Sequence, residues 1–171
     1  MKRLAAVAVV ILLVRASLGA REEETYAPRG AHFEVKFPGK PKEATSNAKS
    51  KLGKLKVVTA TFATSERNVL MVSYTDFPEG SGEGDKRDAL IEGVRKGLKG
   101  KDGSVLSDKE VKIGKDQLPG QELLLDKGKE HVRVRIVLRN DRLFQIGAIG
   151  TRDFVGGKET EAFLDSFEFR K

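Results

Sequence analysis

The chain contains no cysteine and no tryptophan, and only two histidines, two methionines and two tyrosines among its 171 residues. Without cysteine there are no disulfides, no thiol nucleophile, no thiolate metal ligand and no lipid-modified cysteine to tether the chain. A zinc site needs three or four converging ligands, and His32 and His131, far apart and both on polar positions of strand-like segments, do not supply that spacing. No serine stands in a Gly-x-Ser-x-Gly turn. The Gly-rich stretch Pro78-Glu79-Gly80-Ser81-Gly82-Glu83-Gly84 lacks the Lys and Ser/Thr of a phosphate loop, and Glu79, Glu83 and Asp85 would repel phosphate. A long apolar run is missing too. The longest, Leu4 to Val14, is shorter than the roughly 20 residues a membrane-spanning helix takes.

That short run is nonetheless informative. Lys2 and Arg3 precede it and the small-residue stretch Ala16-Ser17-Leu18-Gly19-Ala20 follows it, the pattern of a secretory signal peptide. Cleavage after Gly19 sets Ser17 and Gly19 at the small positions, whereas cleavage after Ala20 puts the bulkier Leu18 three residues before the cut. Arg15, close to the end of the run, leaves retention as an uncleaved anchor open. The expectation is a signal over 1–19, a flexible leader over 20–30 and one domain over 31–171, exported to the periplasm or beyond the cell. About 150 residues without disulfides must be held by their core, and a domain of that size buries roughly 68–70% of its unfolded surface.

The formal net charge of +7 falls to +4 without Lys2, Arg3 and Arg15. The remaining charges are mixed, as in Asp85-Lys86-Arg87-Asp88 and Asp126-Lys127-Gly128-Lys129-Glu130, which is the solvated surface of a soluble protein. No basic stripe carries interleaved aromatics, so a nucleic-acid partner is not expected. Attraction to an anionic lipid or envelope polymer is compatible with the residual charge.

Periodicity organises the rest. His32-Phe33-Glu34-Val35-Lys36-Phe37 alternates and predicts a strand with Phe33, Val35 and Phe37 on one face, stopped by Pro38-Gly39. Residues 40–51 show no convincing period and read as a surface loop, with strand at its end as the alternative. Leu52–Thr64 and Val69–Phe77, joined by the polar turn Ser65-Glu66-Arg67-Asn68, predict an antiparallel hairpin. Asp85 is placed to cap a helix whose Leu90, Ile91, Val94 and Leu98 form one stripe and which ends at Gly97 or Gly100. Segments 105–113, 121–126, 130–139 and 142–150 read as strands, the last three as a meander. Lys158–Ser166 reads as a short helix, before the alternating Phe167-Glu168-Phe169. About seven strands in runs and two helices give an α+β class: a twisted antiparallel sheet with helices packed on it.

Several segments resemble a group of exported bacterial domains of no assigned activity. They are Phe33-Glu34-Val35-Lys36-Phe37-Pro38-Gly39-Lys40-Pro41, Val72-Ser73-Tyr74-Thr75-Asp76-Phe77-Pro78, Leu118-Pro119-Gly120-Gln121-Glu122-Leu123, Arg142-Leu143-Phe144-Gln145 and Phe163-Leu164-Asp165-Ser166-Phe167. In fold such domains are similar to the PsbP-like group, which includes the DcrB-type lipoproteins; the absence of a lipidated Cys is a departure from the latter. The resemblance implies a PsbP-like sandwich and an assembly or binding role, transfers no catalytic residue and implies no cofactor; fold alone does not fix function.

One constellation has chemistry. If Asn140-Asp141 is a two-residue turn requiring positive φ, Arg139 faces Arg142, Leu138 faces Leu143, Val137 faces Phe144, Arg135 faces Ile146 and Arg133 faces Ala148. Arg133 and Arg135 then share a face with Phe144 and Ile146. Two planar guanidinium forks there suit a carboxylate or phosphate, so Arg133 and Arg135 are the candidate anion-binding residues. The plainer alternative has their stems covering apolar surface and their heads reaching water, Glu122 or Glu130. Asp76, at a strand end before Pro78, reads as a turn-former. The functional expectation is a non-catalytic binding or accessory domain for an envelope protein or an anionic surface. A small-molecule carrier with an apolar pocket between sheet and helix, or an enzyme with a scattered site, is the alternative; oligomeric state is open.

Overall fold

A computed structural model of the protein describes residues 22–50 and 53–171. The expected signal over 1–19 lies outside the described residues. In chain order the elements are β1 (Glu24–Tyr26), β2 (Phe33–Phe37), β3 (Lys42–Ser50), β4 (Gly53–Ala63), β5 (Val69–Asp76), α1 (Gly84–Lys99), β6 (Ser104–Ile113), β7 (Leu118–Asp126), β8 (His131–Arg139), β9 (Arg142–Gly150), α2 (Arg152–Val155), α3 (Lys158–Asp165) and β10 (Glu168–Phe169). The chain is a mixed α+β fold dominated by antiparallel sheet. Seven strands form one sheet in the order β3-β4-β5-β9-β8-β7-β6, and β1-β2-β10 form a small second sheet.

Alternation gives the large sheet two apolar faces. On one, Ala60, Leu70, Val72, Val137, Phe144, Ile146 and Ala148 pack against Phe33, Val35 and Phe37 of β2, Val155 of α2, Phe163 and Leu164 of α3, and Phe167. Aromatic rings meet at its centre: Phe33 stacks on Phe167 at 5.3 Å and meets Phe144 edge-on at 5.4 Å. Each such side chain taken out of water contributes roughly 1.5–3 kcal/mol. On the opposite face, Leu123, Leu125, Val132, Val134, Ile136, Leu138 and Leu143 lie beneath Leu90, Ile91, Val94 and Leu98 of α1. No residue of α1 is fully buried, so this helix covers its face less completely.

The predicted β8–β9 register is present residue for residue, from Arg139 opposite Arg142 to Arg133 opposite Ala148, with Asn140 at φ 53° in the turn. The β4–β5 hairpin and the β7–β8–β9 meander also form as expected. Four expectations are corrected. Residues 42–50 are strand rather than loop: Lys42–Ser50 pairs with β4 along its whole length. It shows no alternation because it is an edge strand, exposed on both faces over Lys42–Ala48, so neither face demands apolar residues. The polar leader contains β1, with Thr25 opposite Lys36 of β2. Helix α1 begins at Gly84 with Glu83 at the N-cap and no side-chain cap, and Asp85 lies inside the first turn. β7 starts earlier than expected: Pro119 is opposite Lys112 of β6, and pairing with β8 begins one residue later at Gly120, so no ladder to β8 is lost to the missing N–H.

The loop before α1 is anchored to the β8–β9 turn. The carboxylate of Asp141 accepts from the backbone N–H of Gly80 at 3.1 Å and of Gly82 at 2.8 Å. The contact is so close that a Cβ on Gly82 would stand 1.8 Å from the carbonyl oxygen of Asn140, which only glycine avoids.

Candidate functional site

Strand pairing assembles a charged ladder on the face that carries the aromatic core. Lys109 of β6 lies opposite Glu122 of β7, and Glu122 lies opposite Arg135 of β8. Arg133 is two residues along on the same face of β8. Helix α3 crosses here and presents Glu161 and Asp165, one turn apart on its polar side, while Phe163 and Leu164 point into the core.

The result is a closed network. Arg135 donates from Nε to Glu122 at 2.8 Å, from Nη1 to Asp165 at 2.7 Å and from Nη2 to Glu161 at 3.1 Å. Arg133 donates from Nη2 to Glu122 at 3.0 Å and from Nη1 to Glu161 at 2.6 Å. Lys109 completes the ring at 3.1 Å from Glu122. Glu122 is 5% exposed at its side chain and both arginines 11%, while Glu161 and Asp165 on the rim are half exposed or more open. Burial by itself pushes the Glu122 carboxyl up, but hydrogen bonds from Arg133, Arg135 and Lys109 outweigh it and bring the group to about 2. Burial pulls both guanidinium pKa values down, and their carboxylate partners more than reverse this, leaving both raised. Glu122, Arg133 and Arg135 are therefore ionised at neutral pH.

The two arginines predicted from the turn register do share a face, as expected. Their forks hold carboxylates of the chain itself: Glu122 as the sequence allowed, with Glu161 and Asp165 instead of Glu130. Those two partners were missed, although their spacing of four on the polar side of a predicted helix was a usable signal. A cleft of about 490 Å³ borders the network between β6–β8 and α2, lined by Lys109, Glu122, Arg133, Arg152 and Asp153.

Other singled-out residues fall elsewhere. Asp76 is not a turn-former: it is opposite Arg142, which grips its carboxylate through Nε and Nη2, and this pairing raises the Arg142 pKa. His32 lies outside the strand, in a left-handed conformation just before β2 with φ 57°. His131 begins β8 and is only 18% exposed, its Nε2 4.0 Å from Asp126. Among the described residues no group of three His, Cys, Asp or Glu side chains is placed to hold a metal ion, and no helix is long and apolar enough to cross a membrane.

No family model matches this chain, and no curated protein matches it either. A crystal structure of a protein of unknown function from Pseudomonas aeruginosa is similar over 78% of this chain and 86% of that one, with 10% identity and a TM-score of 0.38. That likeness is too distant to carry an argument.

Proposed function

We propose that this protein is an exported, non-catalytic binding domain built as a PsbP-like sandwich, and that it docks another envelope protein along strand β3. The contrast between the two edges of the large sheet supports this reading. β6, at one edge, is broken by a bulge between Val105 and Ser107 and carries Asp108, Lys109, Glu110 and Lys112, the usual protection of an edge against pairing. β3, at the other edge, follows β4 for nine consecutive pairs without irregularity. Its centre, Ala44-Thr45-Ser46-Asn47-Ala48, is exposed and has neither charge nor proline. An edge of that kind offers its outward N–H and C=O groups to an extended segment of a partner.

Export rests on the first 20 residues and sets the compartment in which the partner is sought. A photoreactive residue at position 45 or 47, expressed in the native host, should give a discrete crosslinked species with one envelope protein. The double change Thr45→Lys with Asn47→Lys should abolish it while shifting stability by less than about 0.5 kcal/mol, as exposed changes do. Crosslinks that survive the lysines, or that arise only from β6, refute docking along β3. A carrier role is the second reading, supported by open grooves of about 670 and 390 Å³ that flank α1 above the apolar sheet face.

A further inference from the structure

The Glu122 network consumes its own cations, but the opposite situation holds where the β8–β9 turn closes the sheet. A cleft of about 450 Å³ opens there between the Gly30–His32 segment, the turn and Arg170. Four cationic side chains line it, Arg139, Arg142, Arg170 and Lys171, and the core residue Phe144, 2% exposed, lies at its floor. The two carboxylates in its lining are already satisfied. Asp76 is held by Arg142, and Asp141 by the N–H groups of Gly80 and Gly82.

Arg139 and Arg170 are loosely engaged by comparison with Arg133 and Arg135. The nearest carboxylate to Arg139 is Asp116 at 3.8 Å, Nη1 donates to the Arg170 carbonyl at 3.4 Å, and the guanidinium lies over the Phe169 ring at 4.9 Å. Arg170 reaches Glu34 at 3.4 Å and is 56% exposed. Each therefore keeps donors free for a second partner.

The backbone around the cleft is held in uncommon conformations. Gly30, His32 and Asn140 all have positive φ, at 76°, 57° and 53°. Asn140 takes its positive φ from the two-residue turn, and His32, which is not glycine, is held in this uncommon conformation by its surroundings. The fixing contacts are visible: Arg170 N–H donates to the His32 carbonyl at 2.9 Å, and Arg142 Nη1 donates to the Gly30 carbonyl at 2.9 Å. The cleft is thus formed in advance of any ligand.

We propose that this cleft binds a phosphate monoester, its dianionic head on Arg139 and Arg170 and its organic group against Phe144. Guanidinium forks match phosphate oxygens in geometry and charge, and the lining carries two more cationic side chains than carboxylates. The larger groove beside α1 gives a useful contrast. There Arg87, Arg95 and Lys112 face Asp88, Glu92 and Glu110, so nothing selects an anion. The site is separate from β3 and does not depend on docking there.

Inorganic phosphate and phenyl phosphate, titrated into the full chain by calorimetry and by amide NMR, test the assignment. Saturable binding is expected, with phenyl phosphate tighter than inorganic phosphate and shifts confined to residues 30–32, 139–144 and 169–171. Arg139→Gln with Arg170→Gln should weaken phenyl phosphate by about tenfold or more, the equivalent of one charge-assisted hydrogen bond. Arg95→Gln should leave it unchanged. Vesicles containing phosphatidic acid identify the source of the ester. Flotation that phenyl phosphate competes away indicates a lipid headgroup, and phenyl phosphate binding without flotation indicates a soluble ester; either supports the cleft. No saturable binding, equal binding in the double variant, or flotation indifferent to both phenyl phosphate and the variant overturns it.

Discussion

Replacing Glu122 by glutamine should cost about 3 kcal/mol of stability at neutral pH, a figure reached by two routes. The folded protein holds this carboxyl at about 2 against an ordinary value of 4.5, and each unit of displacement corresponds to about 1.4 kcal/mol of preference for the ionised form. Independently, removing one partner of a buried ion pair costs about 3–5 kcal/mol because the opposite charge is left in a poor solvent. The lower end applies because Arg133 and Arg135 retain Glu161 and Asp165. Glutamine is close in shape to a protonated Glu122, so the variant also imitates what acid does to the wild type. A depressed carboxyl contributes in full above its unfolded value near 4.5 and loses that contribution as pH falls toward 2. Denaturant unfolding of both proteins from pH 7 to pH 2 should therefore show curves that start about 3 kcal/mol apart and converge below pH 4. At neutral pH the same difference corresponds to a loss of about 6–12 °C in Tm for a domain of this size. A gap under about 1 kcal/mol at pH 7, or one that persists undiminished at pH 2, would refute the view that Glu122 is the centre of the network.

The packing makes further expectations. Phe33 is 1% exposed and touches the rings of Tyr74, Phe144 and Phe167; Phe33→Ala should destabilise by about 3–5 kcal/mol in urea unfolding, and a loss below about 1 kcal/mol would show that the aromatic cluster is not the main core. Gly82→Ala forces a methyl into the Asn140 carbonyl and should cost about 1–3 kcal/mol as an overpacked site does; an unchanged Tm would mean that the loop before α1 is not seated on the turn.

Legibility in the sequence followed burial. The β8–β9 register was readable to the residue because both strands must satisfy buried faces and a two-residue turn leaves one register open. β3 was not, since Lys42–Ala48 is exposed on both faces and nothing in it reports which side points where; its conformation is imposed by hydrogen bonds to β4. β1 was hidden for a related reason, as three residues gain their extended form from β2 alone. Helix α1 was legible as a stripe, but its first residue was not, because Glu83 occupies the N-cap without a side-chain hydrogen bond to mark it.

The same logic separates the two groups of arginines. A sequence shows that a guanidinium is present and, through register, which face it takes, but whether its donors are free depends on carboxylates brought by distant elements. Arg133 and Arg135 sit in the middle of the sheet, where α3 must cross to bury Phe163 and Leu164, and the crossing delivers Glu161 and Asp165 as a consequence of that packing. Arg139 is beyond the crossing, at the end of β8, where its nearest carboxylate is Asp116 at 3.8 Å and Nη1 donates to the Arg170 carbonyl at 3.4 Å. Identical residue types six positions apart thus acquire opposite roles, one pair fastening helix to sheet and the other side chain facing an open cleft. Exchanging the two situations is informative: Asp165→Asn should free one donor of Arg135 at a rim position that is 59% exposed, so its cost should stay near 1 kcal/mol or less, well short of that for Glu122→Gln. A loss as large as that of Glu122→Gln would mean that the rim carboxylates carry the network as much as its buried centre does.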